Sequence, residues 1–177
     1  MRSVVADAGP LIGLARIDRL NLLRKLFETV AIPPQVLQEL KLSRDRPGAK
    51  AILKAIDSGW IKLKKIKNPD KSRRLPLLVD AREADAILLA IEQGVRVLII
   101  DDKKGRRSVK NLKLPLLGVG GVLIVAKKAG HLEKVTSVLN DLADVGYRIS
   151  PSLSKRIIEL AGGLIRNLHQ FSAAVLS

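Results

Sequence analysis

Short, mostly apolar runs, most of them rich in valine and isoleucine, recur along this chain, and segments with a helical apolar period separate them. The runs are Ser3-Val4-Val5-Ala6, Thr29-Val30-Ala31-Ile32, residues 96–100 and residues 114–117. Each is too short for a helix and lacks the polar alternation of a half-solvated strand. Each therefore reads as a strand buried on both faces. Parallel strands need long crossovers, and the intervening helices supply them. The pattern predicts an α/β fold, a three-layer α/β/α sandwich around a central, mostly parallel sheet.

The helical segments carry their own punctuation. Pro10 fits a first helical turn, where a missing N–H does no harm, and Leu11, Ile12, Leu14, Ala15 and Ile17 follow with helical period. Residues 80–93 have acids in the first turn and Gly94 after the end, as a helix favours. Residues 49–56, 118–128 and 135–143 also read as helices. Residues 60–66 alternate apolar side chains with lysines, which fits a half-buried edge strand. Residues 146–149 are expected to return as a short strand. Residues 1–150 form the predicted domain. Residues 151–177 form a helical extension whose apolar side chains, among them Ile157, Ile158 and Leu160, should dock on the core or on a second subunit.

Charge narrows the function. Lys+Arg number 32 against 17 Asp+Glu, a net charge of +15, which favours a polyanionic partner such as nucleic acid. Aromatic residues are only 2%, so phosphate contacts should dominate over base stacking. Trp60 reads as a packing residue. Cysteine is absent, which excludes disulfides and thiolate metal sites, and the two histidines, His131 and His169, do not make a histidine-rich zinc site. Any metal must be held by oxygen, which suits Mg2+ or Mn2+. No apolar run approaches the ~18 residues of a membrane span, so a soluble cytoplasmic protein is expected.

Within this basic chain, acids stand at the ends of the apolar runs: Asp7, Glu39, the group Asp80/Glu83/Asp85, and the doublet Asp101-Asp102. Open α/β sheets place their sites where parallel strands end. Carboxylates that converge there repel one another unless a divalent cation neutralises them. Such a site activates water and stabilises the leaving oxygen of a phosphodiester. Each acid also has an ordinary role. Asp7 can cap the helix at Pro10, Glu39 can face solvent, the 80–85 acids can complement a helix dipole, and Asp101-Asp102 can cap a helix at 103–112. Glu83 and Asp85 do not share a helix face. Asp101 and Asp102 point to opposite sides of an extended chain. Both alternatives stay open in each pair. Lys103, Lys104, Arg106 and Arg107 adjoin the last acids and are candidates to hold an RNA phosphate. Gly118-Val119-Gly120-Gly121 reads as close helix–strand packing, since a full dinucleotide fingerprint is lacking.

Val5-Ala6-Asp7-Ala8-Gly9-Pro10-Leu11-Ile12 resembles the opening strand motif of PIN domains. Val36-Leu37-Gln38-Glu39-Leu40 resembles their second-acid helix, Glu83-Ala84-Asp85-Ala86-Ile87-Leu88-Leu89-Ala90 their third-acid helix, and Leu98-Ile99-Ile100-Asp101-Asp102 their fourth-acid strand end. The nearest likeness is to a VapC-related branch, with Gly121-Val122-Leu123 before Ala126-Lys127-Lys128. The resemblance implies a Mg2+- or Mn2+-dependent ribonuclease with Asp7, Glu39, Asp85 and Asp102 as catalytic acids. It implies metal ligands drawn from Asp7, Glu39, Glu83, Asp85, Asp101 and Asp102. RNA, an antitoxin protein and a second copy of the chain are the implied partners. The alternative reading is a catalytically weak or inactive PIN-fold module that binds RNA or regulates. A phosphotransfer receiver is the third reading. It needs an isolated phosphoacceptor aspartate and a lysine after a later strand, which this chain does not supply convincingly.

Overall fold

β1 (Ser3–Ala6) lies at the centre of the sheet, and Val4, Val5 and Ala6 are buried there. The computed structural model describes residues 3–42, 47–68, 81–101 and 114–162; the side chains of 39–42 and 81–83 fall outside that description. After β1 come α1 (Ala8–Arg16), α2 (Asn21–Leu26), β2 (Thr29–Ile32), α3 (Pro34–Leu42), α4 (Ala49–Asp57) and β3 (Ile61–Leu63). α5 (Ala81–Glu92), β4 (Leu98–Ile99), β5 (Leu116–Leu117), α6 (Val119–Lys128), α7 (Val135–Asp144) and α8 (Pro151–Gly162) complete the described elements.

The five strands among the described residues are all parallel, in the order β3-β2-β1-β4-β5. Val5 pairs with Ala31 on one side and with Leu98 on the other. The chain thus builds outward from β1 in one direction, then returns to build outward in the other. Between β1 and β4 the direction of winding reverses, and their carboxyl ends flank the crevice where such sheets bind ligands.

Strand alternation sorts the core into two layers. Val4, Ala6, Val30, Ile32 and Ile99 face the larger cluster, built with α1, α2, α4, α6, α7 and α8. Val5, Ala31, Leu98 and Ile100 face the other way, onto Ala86, Ile87, Leu89 and Ala90 of α5. This is the predicted α/β/α sandwich. At the sheet edge, β3 buries Ile61 and exposes Lys62, so a charged side chain guards the open ladder. Trp60 packs against the larger core, and its carbonyl accepts the Val30 N–H.

Residues 146–149 do not form the expected strand. Gly146, at φ 77°, ends α7: the Gly146 N–H donates to the Ala143 carbonyl and the Tyr147 N–H to that of Leu142. This paired closure needs a left-handed residue, which glycine supplies without strain. The chain then runs irregularly into α8, which packs against α6 and α7. There Ile157 is buried against Gly120, where an added Cβ would collide with Ile157 Cδ1. Among the described residues, no helix is long and apolar enough to cross a membrane.

Candidate active site at the carboxyl edge of the sheet

Asp7 immediately follows β1, and its N–H donates to the Ile99 carbonyl of β4 at 2.9 Å. The residue keeps extended geometry (φ −81°, ψ 164°) and occupies the N-cap position of α1, yet its carboxylate makes no capping hydrogen bond. The simple capping role is therefore not what the side chain performs. It borders a cleft of about 800 Å³ together with Gly9, Pro10 and Asp101.

Asp101 follows β4 on the neighbouring strand. Its carboxylate reaches across to the start of α6, where the Val119 N–H donates to both oxygens, at 3.0 and 3.3 Å. The Tyr147 hydroxyl donates to Asp101 Oδ2. A carboxylate at a helix N-terminus is favoured by the unsatisfied N–H groups and by the dipole. Asp101 thus caps α6, a helix eighteen residues further on. The helix expected at 103–112 lies outside the described residues. Sequence reasoning misses Tyr147. No local pattern marks it; only its place one residue beyond Gly146 hints at a fixed direction.

The remaining acids sit on elements that meet the same edge. α3 leaves β2 at its carboxyl end, so Glu39 is about one turn into a helix that starts there. α5 precedes β4 and runs back across the sheet, so its first turns lie toward the same end. α3 touches both α1 and α5. Asp85, 7% exposed, is the buried charged residue among those described. A carboxylate that deep persists only where a polar partner or a cation compensates it. The side chains of Glu39 and Glu83 fall outside the described set, as do Asp80, Asp102, Lys103, Lys104, Arg106 and Arg107. Among the described residues, no three acids or histidines are grouped closely enough to hold a metal ion alone. The donor chemistry nevertheless fits a hard divalent cation: Asp7 and Asp101 present oxygen in one cleft, and the chain has no cysteine to compete.

Gly118-Val119-Gly120-Gly121 packs rather than binds a dinucleotide. Gly120 admits Ile157, and Gly121 lies against Leu117 of β5. His131 closes α6, its N–H donating to the Ala126 carbonyl.

An all-parallel sheet covered by helices, with aspartates following two adjacent central strands, defines an α/β domain whose candidate site lies where the winding reverses. A sequence model of the PIN-domain family matches residues 3–163, and the chain belongs to that family. PIN domains are generally nucleases and typically use a divalent metal. The match runs on through α8. No curated protein and no solved structure matched the chain.

Proposed function

We propose that this chain is a metal-dependent endoribonuclease that hydrolyses RNA phosphodiester bonds at the cleft bordered by Asp7 and Asp101. The observation that carries the reading is the meeting of these two acids, far apart in sequence, at the point where the sheet reverses its winding. Asp7 would hold magnesium or manganese, with further oxygen ligands drawn from Glu39, Glu83, Asp85, Asp101 and Asp102. When bound, the ion supplies Lewis-acid activation of water and neutralises charge developing on the phosphate. Asp101, fixed by Val119 and Tyr147, borders the same cleft as Asp7. Ile149, Leu153 and Ile157 give the cleft an apolar lining. The net charge of +15 draws RNA to the surface. The VapC-like motif order extends the reading to a cytoplasmic toxin, with an antitoxin protein and a second copy of the chain as partners.

The test is cleavage of a labelled single-stranded RNA with manganese present. Asp7→Asn is expected to cut at least ~100-fold more slowly, the scale on which loss of a metal-activating group is felt. Manganese should raise the melting temperature of the parent chain and leave that of Asp7→Asn unchanged. Cleavage by Asp7→Asn at the parent rate would refute the assignment.

The structural use of Asp101 as a helix cap favours a second reading, an RNA-binding module that retains the fold without the chemistry. It predicts salt-sensitive RNA binding, no cleavage, and no heat of manganese binding.

A further inference from the structure

The cleft that Asp7 and Asp101 border is also lined by residues beyond α7, among them two exposed cations, Arg148 and Arg156, together with Ile149 and Leu153. We propose that Arg148 and Arg156 form a phosphate site that holds the nucleotides flanking the scissile bond of a single RNA strand. The proposal rests on the ribonuclease reading and gives it a substrate-binding surface.

Both arginines have positions fixed by the fold. Arg148 follows Tyr147, whose hydroxyl is bonded to Asp101 and whose ring lies against Gly13. Arg156 precedes Ile157, which is buried against Gly120. Each cation is thus the chain neighbour of an anchored side chain, while its own guanidinium stays at the surface. Arg156 meets Glu159 at 3.5 Å, but both side chains are largely exposed, at 64% and 49%. An exposed ion pair of this kind contributes little and exchanges readily for a stronger anion. A phosphodiester is such an anion, and arginine binds it with two parallel hydrogen bonds.

The charge balance requires something of this sort. A strand that enters beside Asp7 and Asp101 brings a negative charge with every nucleotide toward two carboxylates. A cation at the reacting phosphate answers for that one group and leaves its neighbours facing the acids. Arg148 and Arg156 line the same cleft and can take the neighbouring phosphates. The positive end of the α8 dipole adds to their charge. A cleft of about 800 Å³ is of the size that accommodates a small-molecule-sized group such as a nucleotide.

The test measures binding of a short labelled single-stranded oligoribonucleotide to the full chain carrying Asp7→Asn, so that bound RNA is not consumed. Replacing both arginines, Arg148→Gln with Arg156→Gln, should weaken binding roughly tenfold at low salt. It should also lower the slope of log affinity against log salt by about 1.4, at ~0.7 for each phosphate no longer neutralised. The control removes the same charge from α2, with Arg24→Gln and Lys25→Gln. Both are exposed on the helix that leads to the start of β2, at the opposite edge of the sheet. That variant should leave the slope nearly unchanged, and Arg156→Lys should keep most of the affinity. Equal losses in the two double variants would overturn the site in favour of diffuse attraction. Unchanged binding in the arginine variant, with the parent still binding, would overturn it and leave the nuclease reading standing. Failure of the parent chain to bind RNA would remove both.

Discussion

Tyr147 joins three parts of the chain that are remote in sequence. Its hydroxyl donates to Asp101, and its ring occupies space that a side chain at position 13 would need, since a Cβ on Gly13 would stand 2.5 Å from Tyr147 Cε2. The closure at Gly146 aims the ring, Gly13 receives it, and the hydroxyl fixes one oxygen of Asp101. Tyr147→Phe keeps the ring and removes the donor. We expect it to cost about 1–2 kcal/mol of stability, as when a hydrogen bond to a charged group is removed. If Asp101 must be held in place for turnover, manganese-stimulated kcat should fall roughly tenfold while RNA affinity is unchanged, which separates positioning from binding. Parent-like kcat in Tyr147→Phe would show that Val119 alone orients the carboxylate. Asp18 shows the same closure without glycine. At φ 55° it follows α1, with the Arg19 N–H donating to the Leu14 carbonyl. Aspartate is among the few residues that tolerate that backbone region.

α6 and α8 meet across glycine. The absence of a side chain at Gly120 lets the two helices approach until Ile157 fills the gap. Ile157 is 2% exposed, so truncating it should leave a cavity. Ile157→Ala is expected to lose about 2–4 kcal/mol, read as a lower urea midpoint at unchanged slope. A loss below about 1 kcal/mol would show that α8 is held by other side chains. The same seam explains why the glycine-rich stretch at 118–121 looks like a nucleotide loop in sequence. Small residues are used there to bring backbone near a side chain, and the ligand-like feature is the packed isoleucine. At the sheet, β1 and β2 match the runs that announce them, whereas β4 and β5 are shorter than theirs. Val97 and Ile100 are buried beside β4 although only Leu98 and Ile99 are strand. Burial sets the apolar run, whereas ladder hydrogen bonds set the strand.

For the molecule as a whole, α8 supplies both core and cleft. It carries Ile157 into the larger cluster and places Leu153, Arg156 and Leu160 along the cleft that Asp7 and Asp101 also border. A chain ending at Ser150 would expose α6 where Ile157 now covers it. We expect such a chain to melt at a lower temperature with a broadened transition and to lose RNA affinity. A sharp, unshifted transition would show that residues 1–150 fold without the helix. The amino-acid order by itself determined the sandwich, because buried parallel strands and their covering helices each impose a period that neighbouring residues display. It also marked which acids stand at strand ends, since an apolar run and the residue that stops it are adjacent in the chain. The pairing of β1 with β4, the capping of α6 by Asp101, the seating of Tyr147 on Gly13 and the placement of Arg148 and Arg156 beside the cleft were decided only by tertiary structure. Those contacts join residues whose separation leaves no periodic trace. They form because assembling the sheet carries distant segments to one edge, where hydrogen-bond geometry and close packing select the partners.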